Sequence, residues 1–325
     1  MASSLTALVL HEDCSLHDTG WKHPEHQGRL PAVVNALYKE TPLLQDLTLQ
    51  LSGVPIDESE LLRVHTEAHV SRLKAARDRS VETQQIIPLD NDTMMSPASW
   101  DAMLASAGCV ITTCDAVLKG DARNGFALSR PPGHHATKGI AMGFCLANNV
   151  AIAARWLQQH GMQRVMIIDW DVHHGNGTQD IFYDDATVYY MSTHQSPWYP
   201  GTGRREERGV GAGLNATRNV PMRAGTNGKD FVDTYKRELD DALNEFTPDF
   251  VIVSAGFDCL AGDPLGEFLL EPRDLHEITK HLMEIIPHGR IVHALEGGYN
   301  PPRVGAGVVD VVRALTNQYP AGNGN

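Results

Sequence analysis

Short apolar runs alternate with longer amphipathic stretches along this chain. Leu5–Leu10, Gly125–Leu128, Arg164–Asp169, Thr187–Ser192, Phe250–Ala255 and Arg290–Leu295 read as strands. They are rich in Val and Ile and nearly continuous in hydrophobicity, the pattern of strands buried on both faces of a parallel sheet. Between them Pro97–Leu118, Ala147–Gln159, Lys229–Phe246, Pro272–Ile286 and Val304–Thr316 read as helices. In Lys229–Phe246 the residues Phe231, Tyr235, Leu239, Ala242, Leu243 and Phe246 recur at three- and four-residue steps, which places them on one face. Repeated strand–helix alternation predicts an α/β fold with a mostly parallel central sheet flanked by helices.

A length of 325 residues suggests two domains on a prior of about 150 residues each. The residues that carry chemistry run from near residue 20 to residue 299, however, and fall in loops that follow predicted strands. Loops after the C-terminal strand ends build the sites of open α/β sheets. One domain over residues 1–318 is therefore expected, with 319–325 as a flexible tail.

Composition narrows the class. With 42% hydrophobic residues a large core is available, and a wholly disordered chain is excluded. The formal charge of −13 makes non-specific nucleic-acid binding unfavourable, while cationic substrates would be attracted. Five cysteines without a Cys-x-x-Cys pair argue against a disulfide framework and a thiolate zinc knuckle. Leu5–Leu10 has no basic residue before it and is too short for a signal peptide's apolar segment. Nowhere do about 18 apolar residues run uninterrupted. The expectation is a soluble protein of a reducing compartment, the cytoplasm, with no membrane partner.

Four segments carry candidate chemistry. In the first, the strand Val165–Ile168 runs into Asp169-Trp170-Asp171-Val172-His173-His174-Gly175-Asn176-Gly177. Asp171 and His173 are two apart, so at an extended strand end they point to the same side, where an oxygen and a nitrogen ligand suit a divalent metal such as zinc. A cluster satisfying loop backbone groups is the plain alternative. In the second, Ser254-Ala255-Gly256-Phe257-Asp258, another buried strand ends with Asp258 beyond a Gly turn. With Asp171 and His173 it would complete three protein ligands and an open position, the layout of a catalytic zinc site, although in isolation a helix cap or turn Asp is the favoured reading.

The third, Arg130-Pro131-Pro132-Gly133-His134-His135-Ala136, places tandem histidines on a rigid turn as acid–base candidates. The fourth is Leu295-Glu296-Gly297-Gly298-Tyr299-Asn300. Its glycines let backbone approach a ligand, and Tyr299 could donate to a developing oxyanion. Gly143-Phe144-Cys145 and Pro197-Trp198-Tyr199-Pro200-Gly201 add aromatics that could wall a channel. Val210-Gly211-Ala212-Gly213 lacks the preceding strand of a dinucleotide loop and is set aside.

Together and in this order, the segments resemble the histone deacetylase superfamily, from about His23 to Tyr299 and the final helix. Asn176, with His23-Pro24-Glu25 and Arg29, resembles its class II and bacterial amidohydrolase-like branch more than class I. The resemblance implies an arginase/deacetylase fold and hydrolysis of acetylated lysine. It implies one zinc, or iron(II), on Asp171, His173 and Asp258. By the same resemblance His135 is the general base and then acid, Asp169 orients His134, and Asn176 sits behind His135. Tyr299 would bond the substrate carbonyl, and Gly143 would offer its own carbonyl. Phe144 and Tyr199 would flank the acyl-lysine tunnel, with Leu265 at its rim, Gly297 among the substrate-binding residues and Arg29 by an internal product channel. Asp92, in Leu89-Asp90-Asn91-Asp92-Thr93, is the nearest match to the rim aspartate that grips substrate backbone. A structural potassium would use Asp169, Asp171, His173, Ser192 and Thr193, and a second cation would lie near Phe182, Asp185 and Val188.

Class I members carry Asp where this chain has Asn176, so the His135 imidazolium should be less stabilised here. Tyr rather than His at 299 implies full deacetylation. Three rivals remain at this stage. They are a deacetylase of acetylated polyamines or other small amines, an arginase-like two-metal hydrolase, and a non-catalytic binding protein. Self-association is left open.

Overall fold

The apolar runs become the middle of one sheet. The computed structural model describes residues 4–322. Its strands are β1 (Thr6–Leu10), β2 (Thr48–Ser52), β3 (Ile87–Pro88), β4 (Met94–Met95), β5 (Asn124–Ala127), β6 (Val165–Asp169), β7 (Val188–Gln195), β8 (Thr217–Met222), β9 (Phe250–Ala255) and β10 (Ile291–Leu295). Eight of them form a sheet in the order β2-β1-β5-β10-β9-β6-β7-β8, and every neighbouring pair is parallel. The five central strands β5, β10, β9, β6 and β7 are buried at every residue, which is why their sequences show no alternation. β3 and β4 pair separately as an antiparallel ribbon.

The helices are α1 (Arg29–Lys39), α2 (Thr41–Leu44), α3 (Glu67–Thr83), α4 (Ser99–Lys119), α5 (Asn149–Gln159), α6 (Asn176–Phe182), α7 (Gly228–Glu245), α8 (Pro272–Ile285) and α9 (Pro301–Leu315). α4 packs on β1, β5 and α5, while α1, α9, α8 and α7 pack in series as the second layer. α4 is long and apolar enough to cross a bilayer by length and composition, but 67% of its apolar window is buried inside the protein. In α7 the predicted face of Phe231, Tyr235, Leu239 and Ala242 is buried.

Some elements were absent from the hydrophobic pattern. β2 and β8 are the sheet edges, and their half-buried sequences Thr-Leu-Gln-Leu-Ser and Thr-Arg-Asn-Val-Pro-Met carry little apolar signal. Pro221 is tolerated in β8 because an edge strand has unpaired positions. α3 is rich in charged residues and has few large apolar ones to bury. α1 holds Pro31 in its first turn, where no N–H partner is needed. The last helix, expected from Val304, starts instead at Pro301, since prolines at the first two helical positions fit the helix start. Of the expected tail, residues 323–325 lie outside the described residues; Ala321 N–H donates to Asp310 and the Tyr319 carbonyl accepts from Arg313.

The topology decides where chemistry can occur. β5, β10, β9 and β6 are consecutive neighbours, and each of the four motifs leaves the C-terminal end of one of them. Parallel strands bring those four ends to one edge. α4 also lies close to the loop after β2, where a Cβ at Gly108 would overlap the Val54 carbonyl. Gly108→Ala should therefore destabilise the fold by about 1–3 kcal/mol, read as a lower urea midpoint with unchanged slope; an unchanged midpoint would show that the loop yields freely.

Candidate active site

Asp171, His173 and Asp258 meet in the interior. Their ligand atoms all lie within 4.8 Å of one another, and all three residues are buried. His173 Nδ1 is 3.1 Å from both Asp171 Oδ1 and Asp258 Oδ2. Backbone N–H groups hold the carboxylates from behind: Val172 donates to Asp258 Oδ1 at 2.8 Å, Gly297 to Asp171 Oδ2 at 2.9 Å and His173 to Asp171 Oδ1 at 3.0 Å. Gly297 thus acts on a carboxylate here, and a Cβ on it would collide with Asp258 Oδ2.

Electrostatics fit this set to a cation. Burial and the charge of Asp171 push Asp258 up to about 7. Burial also works against charge on Asp171, but His134 and His173 outweigh it and hold its pKa well down. His173 is likewise penalised by burial and then raised to about 10 by Asp171 and Asp258. Two buried carboxylates converging on one imidazole nitrogen form an oxygen–nitrogen donor set that suits a divalent metal.

The tandem histidines stand beside this cluster, with ring centroids 4.0 Å apart. His134 Nδ1 is 3.0 Å from Asp169 Oδ2, which also accepts from Tyr190 Oη at 3.0 Å. Burial opposes a charge on His134, yet Asp171 and Asp169 raise its pKa to about 10. His135 behaves oppositely. Burial, then the neighbouring His134 and His173, hold it well below the ordinary range, which favours the neutral imidazole. Its Nδ1 lies 2.8 Å from Asn176 Oδ1.

The opening to the cluster is aromatic. Tyr199 stands edge-on to His135 at 5.2 Å and to His173 at 6.1 Å. Phe144 stands edge-on to Tyr299 at 5.5 Å. Gly143 and Phe144 both adopt positive φ, 56° and 69°, between Met142 and Cys145, which bond each other's backbone. This is the backbone of a tight type I′ turn. A Cβ on Gly143 would come within 2.5 Å of the His135 ring. Thr93 accepts from the Phe144 N–H at 3.1 Å, so Asp92 and the β3–β4 ribbon border the opening. His23 joins them, 4.8 Å from Phe144 and bonded to the Asp92 carbonyl. The Leu265 carbonyl accepts from Trp198 Nε1 next to Tyr199.

Tyr299 is buried, which keeps its phenol protonated and able to donate. Arg29 lies over its ring at 5.0 Å and donates to the carbonyls of Gly298 and Glu296, each at 2.6 Å. Ser192 and Thr193 lie beside Asp169 through the β6–β7 pairing, and Thr193 Oγ1 donates to the Asp169 carbonyl.

Several supporting residues were quoted in motifs without a role, or missed. Glu25 binds Arg29 at 2.8 Å and Arg130 at 2.7 Å, all three fully buried. Glu296 Oε2 accepts from the backbone N–H groups of Gly133 and His134, and burial raises its pKa to about 7. Asp263 accepts from the Tyr299 N–H at 2.6 Å. Acids in the interior of Gly-rich motifs were the available signal.

A buried carboxylate–imidazole–carboxylate cluster, faced by two histidines and a phenol at the C-terminal edge of a parallel sheet, is the layout of a hydrolytic metal site. A model of the histone deacetylase domain matches residues 23–315. The chain is 37% identical over 299 residues to a probable deacetylase of Archaeoglobus fulgidus, covering 91% of this chain and 82% of that protein. It is 36% identical over 322 residues to polyamine deacetylase HDAC10 of Homo sapiens, covering 95% of this chain and 48% of that one. The crystal structure of the HDA15 HD domain matches with a TM-score of 0.91 at 36% identity, over 97% of this chain and 89% of that chain. The chain belongs to the histone deacetylase family, and the arginase/deacetylase-like single domain expected from its motifs is the fold observed.

Arg29 and Arg130 depress the Glu25 pKa below its ordinary 4.5 despite burial, which acts the other way. Its charge therefore stabilises the fold above that value, and the contribution is lost as pH falls through the lowered folded pKa. Glu25→Gln should cost about 3 kcal/mol at pH 7, with the gap to the native chain closing under acid; urea titrations at both pH values would show it, and a gap independent of pH would refute it.

Proposed function

We propose that the chain is a zinc-dependent deacetylase that hydrolyses the amide of acetylated lysine in proteins or peptides. The observation that carries this reading is the convergence of Asp171, His173 and Asp258 beside His135 and Tyr299. Zinc on those three ligands, or iron(II) in its place, would supply Lewis acidity to the acyl carbonyl and lower the pKa of water.

The chain's own groups do the rest. Neutral His135 removes the proton of the attacking water through Nε2, since Nδ1 is occupied by Asn176. Tyr299 donates its phenolic hydrogen to the carbonyl oxygen as charge develops there. His135 then returns the proton to the leaving amine. His134, held by Asp169, keeps a positive charge near the developing oxyanion. Phe144 and Tyr199 enclose the lysine stem, whose methylenes suit an aromatic wall. Asp92 at the opening can accept from substrate backbone N–H groups, which favours a peptide. Acetylated polyamines are the second reading, supported by Asp90 and Asp92 near the opening and by the HDAC10 relative. Leu265 offers a second ammonium no countercharge.

The same reading places a structural potassium on Asp169, Asp171, His173, Ser192 and Thr193, and a second cation near Phe182, Asp185 and Val188. A cytoplasmic setting accords with five buried free thiols.

Assay of acetyl-lysine peptides in parallel with acetylputrescine and acetylspermidine tests the substrate. Preference for peptides by kcat/KM is expected, and a narrow preference for the free polyamines would replace the reading. Tyr299→Phe should leave the metal content intact and lower kcat by roughly 100-fold, the effect of one lost oxyanion donor; an unchanged rate would remove that role.

A further inference from the structure

His135 can act as a base only if its ring proton sits on Nδ1, leaving Nε2 free. The partner at Nδ1 is an amide, Asn176, and an amide has two unlike ends. With Oδ1 towards His135 the amide accepts the Nδ1 hydrogen. With the amide turned over, Nδ2 would donate to Nδ1 and the ring proton would move to Nε2, which could then accept nothing. Something must select between these orientations.

We infer that Met142 is this positioning residue. Its Sδ lies 3.4 Å from Asn176 Nδ2, on the side of the amide away from His135. A thioether accepts weakly and cannot donate. It therefore welcomes Nδ2 and offers nothing to Oδ1, so the contact favours the orientation that sets the productive His135 tautomer. Met142 is also well placed to do so. Its N–H and carbonyl bond the backbone of Cys145 at 3.1 and 3.0 Å, across the turn whose central residues Gly143 and Phe144 border the site. One turn thus fixes a tunnel wall on its tip and the amide behind the base at its root.

A carboxylate at position 176 would have two equivalent oxygens and no orientation to select. The contribution of Met142 should therefore vanish in that background. This is a feature that a purely packing role would not produce.

The kinetic consequence rests on the deacetylase reading, but the tautomer can be read without turnover. Met142→Leu keeps the side-chain volume and removes the acceptor. In the native background it should lower kcat on the order of fivefold, the scale of one weak hydrogen bond, with KM unchanged. In the Asn176→Asp background the same substitution should change kcat by less than about twofold. Nitrogen-15 spectra of selectively labelled histidine in the zinc-loaded protein should show His135 protonated at Nδ1 in the native chain and a share of the Nε2-protonated form in Met142→Leu. Equal losses in both backgrounds, or an unchanged His135 spectrum, overturns the assignment. If acetylated substrates are not turned over at all, the spectrum alone decides it.

Discussion

Two carboxylates held side by side in a protein interior repel one another. With ligand atoms within 4.8 Å, Asp171 and Asp258 would repel by at least about 3 kcal/mol at an effective dielectric of 20. Burial first, and then the charge of Asp171, lift Asp258 to about 7. Three backbone N–H groups, from the loops after β6 and β10, hold the pair in place regardless, and the His173 ring nitrogen stands between them. Such an arrangement is stable as a receptor for positive charge. Much of the surrounding machinery follows from placing a cation there.

The histidines divide the consequences. His134 faces Asp171 and Asp169 and is drawn towards the charged form, whereas burial and the neighbouring His134 and His173 draw His135 towards the neutral form. Two adjacent imidazoles with opposed protonation preferences suit the division proposed above, one as base and one as a nearby positive charge. Behind them a second buried layer does the positioning. Glu25 ties Arg29 to Arg130, Arg29 holds the carbonyls on both sides of the Gly297–Gly298 turn, and Glu296 clamps the backbone of the tandem-histidine loop. The tyrosine loop and the histidine loop are therefore anchored to the same charge network.

The central strands, the Asp171–His173–Asp258 cluster and the tandem histidines were legible because each follows a local pattern: a continuous apolar run followed by Asp or His. The edge strands β2 and β8 were not, since exposure on one side erases the apolar run. The Glu25–Arg130 pair was invisible for a different reason. Its members are 105 residues apart, and only the fold shows that both are fully buried. The sequence of Gly143-Phe144 suggests an aromatic lining and a substrate-facing carbonyl, but not the turn that carries them. A phenylalanine at positive φ is unfavourable in isolation, and only the surrounding contacts enforce it. Asp263 and Glu296 were acids in plain view whose role depends on which backbone N–H groups they reach.

The most direct test of this picture is anomalous diffraction at the zinc edge from crystals of the metal-replete protein. The account predicts one strong peak about 2.0–2.2 Å from oxygens of Asp171 and Asp258 and from His173 Nδ1. A peak bound elsewhere, two peaks bridged by carboxylates, or no peak between these side chains would contradict it.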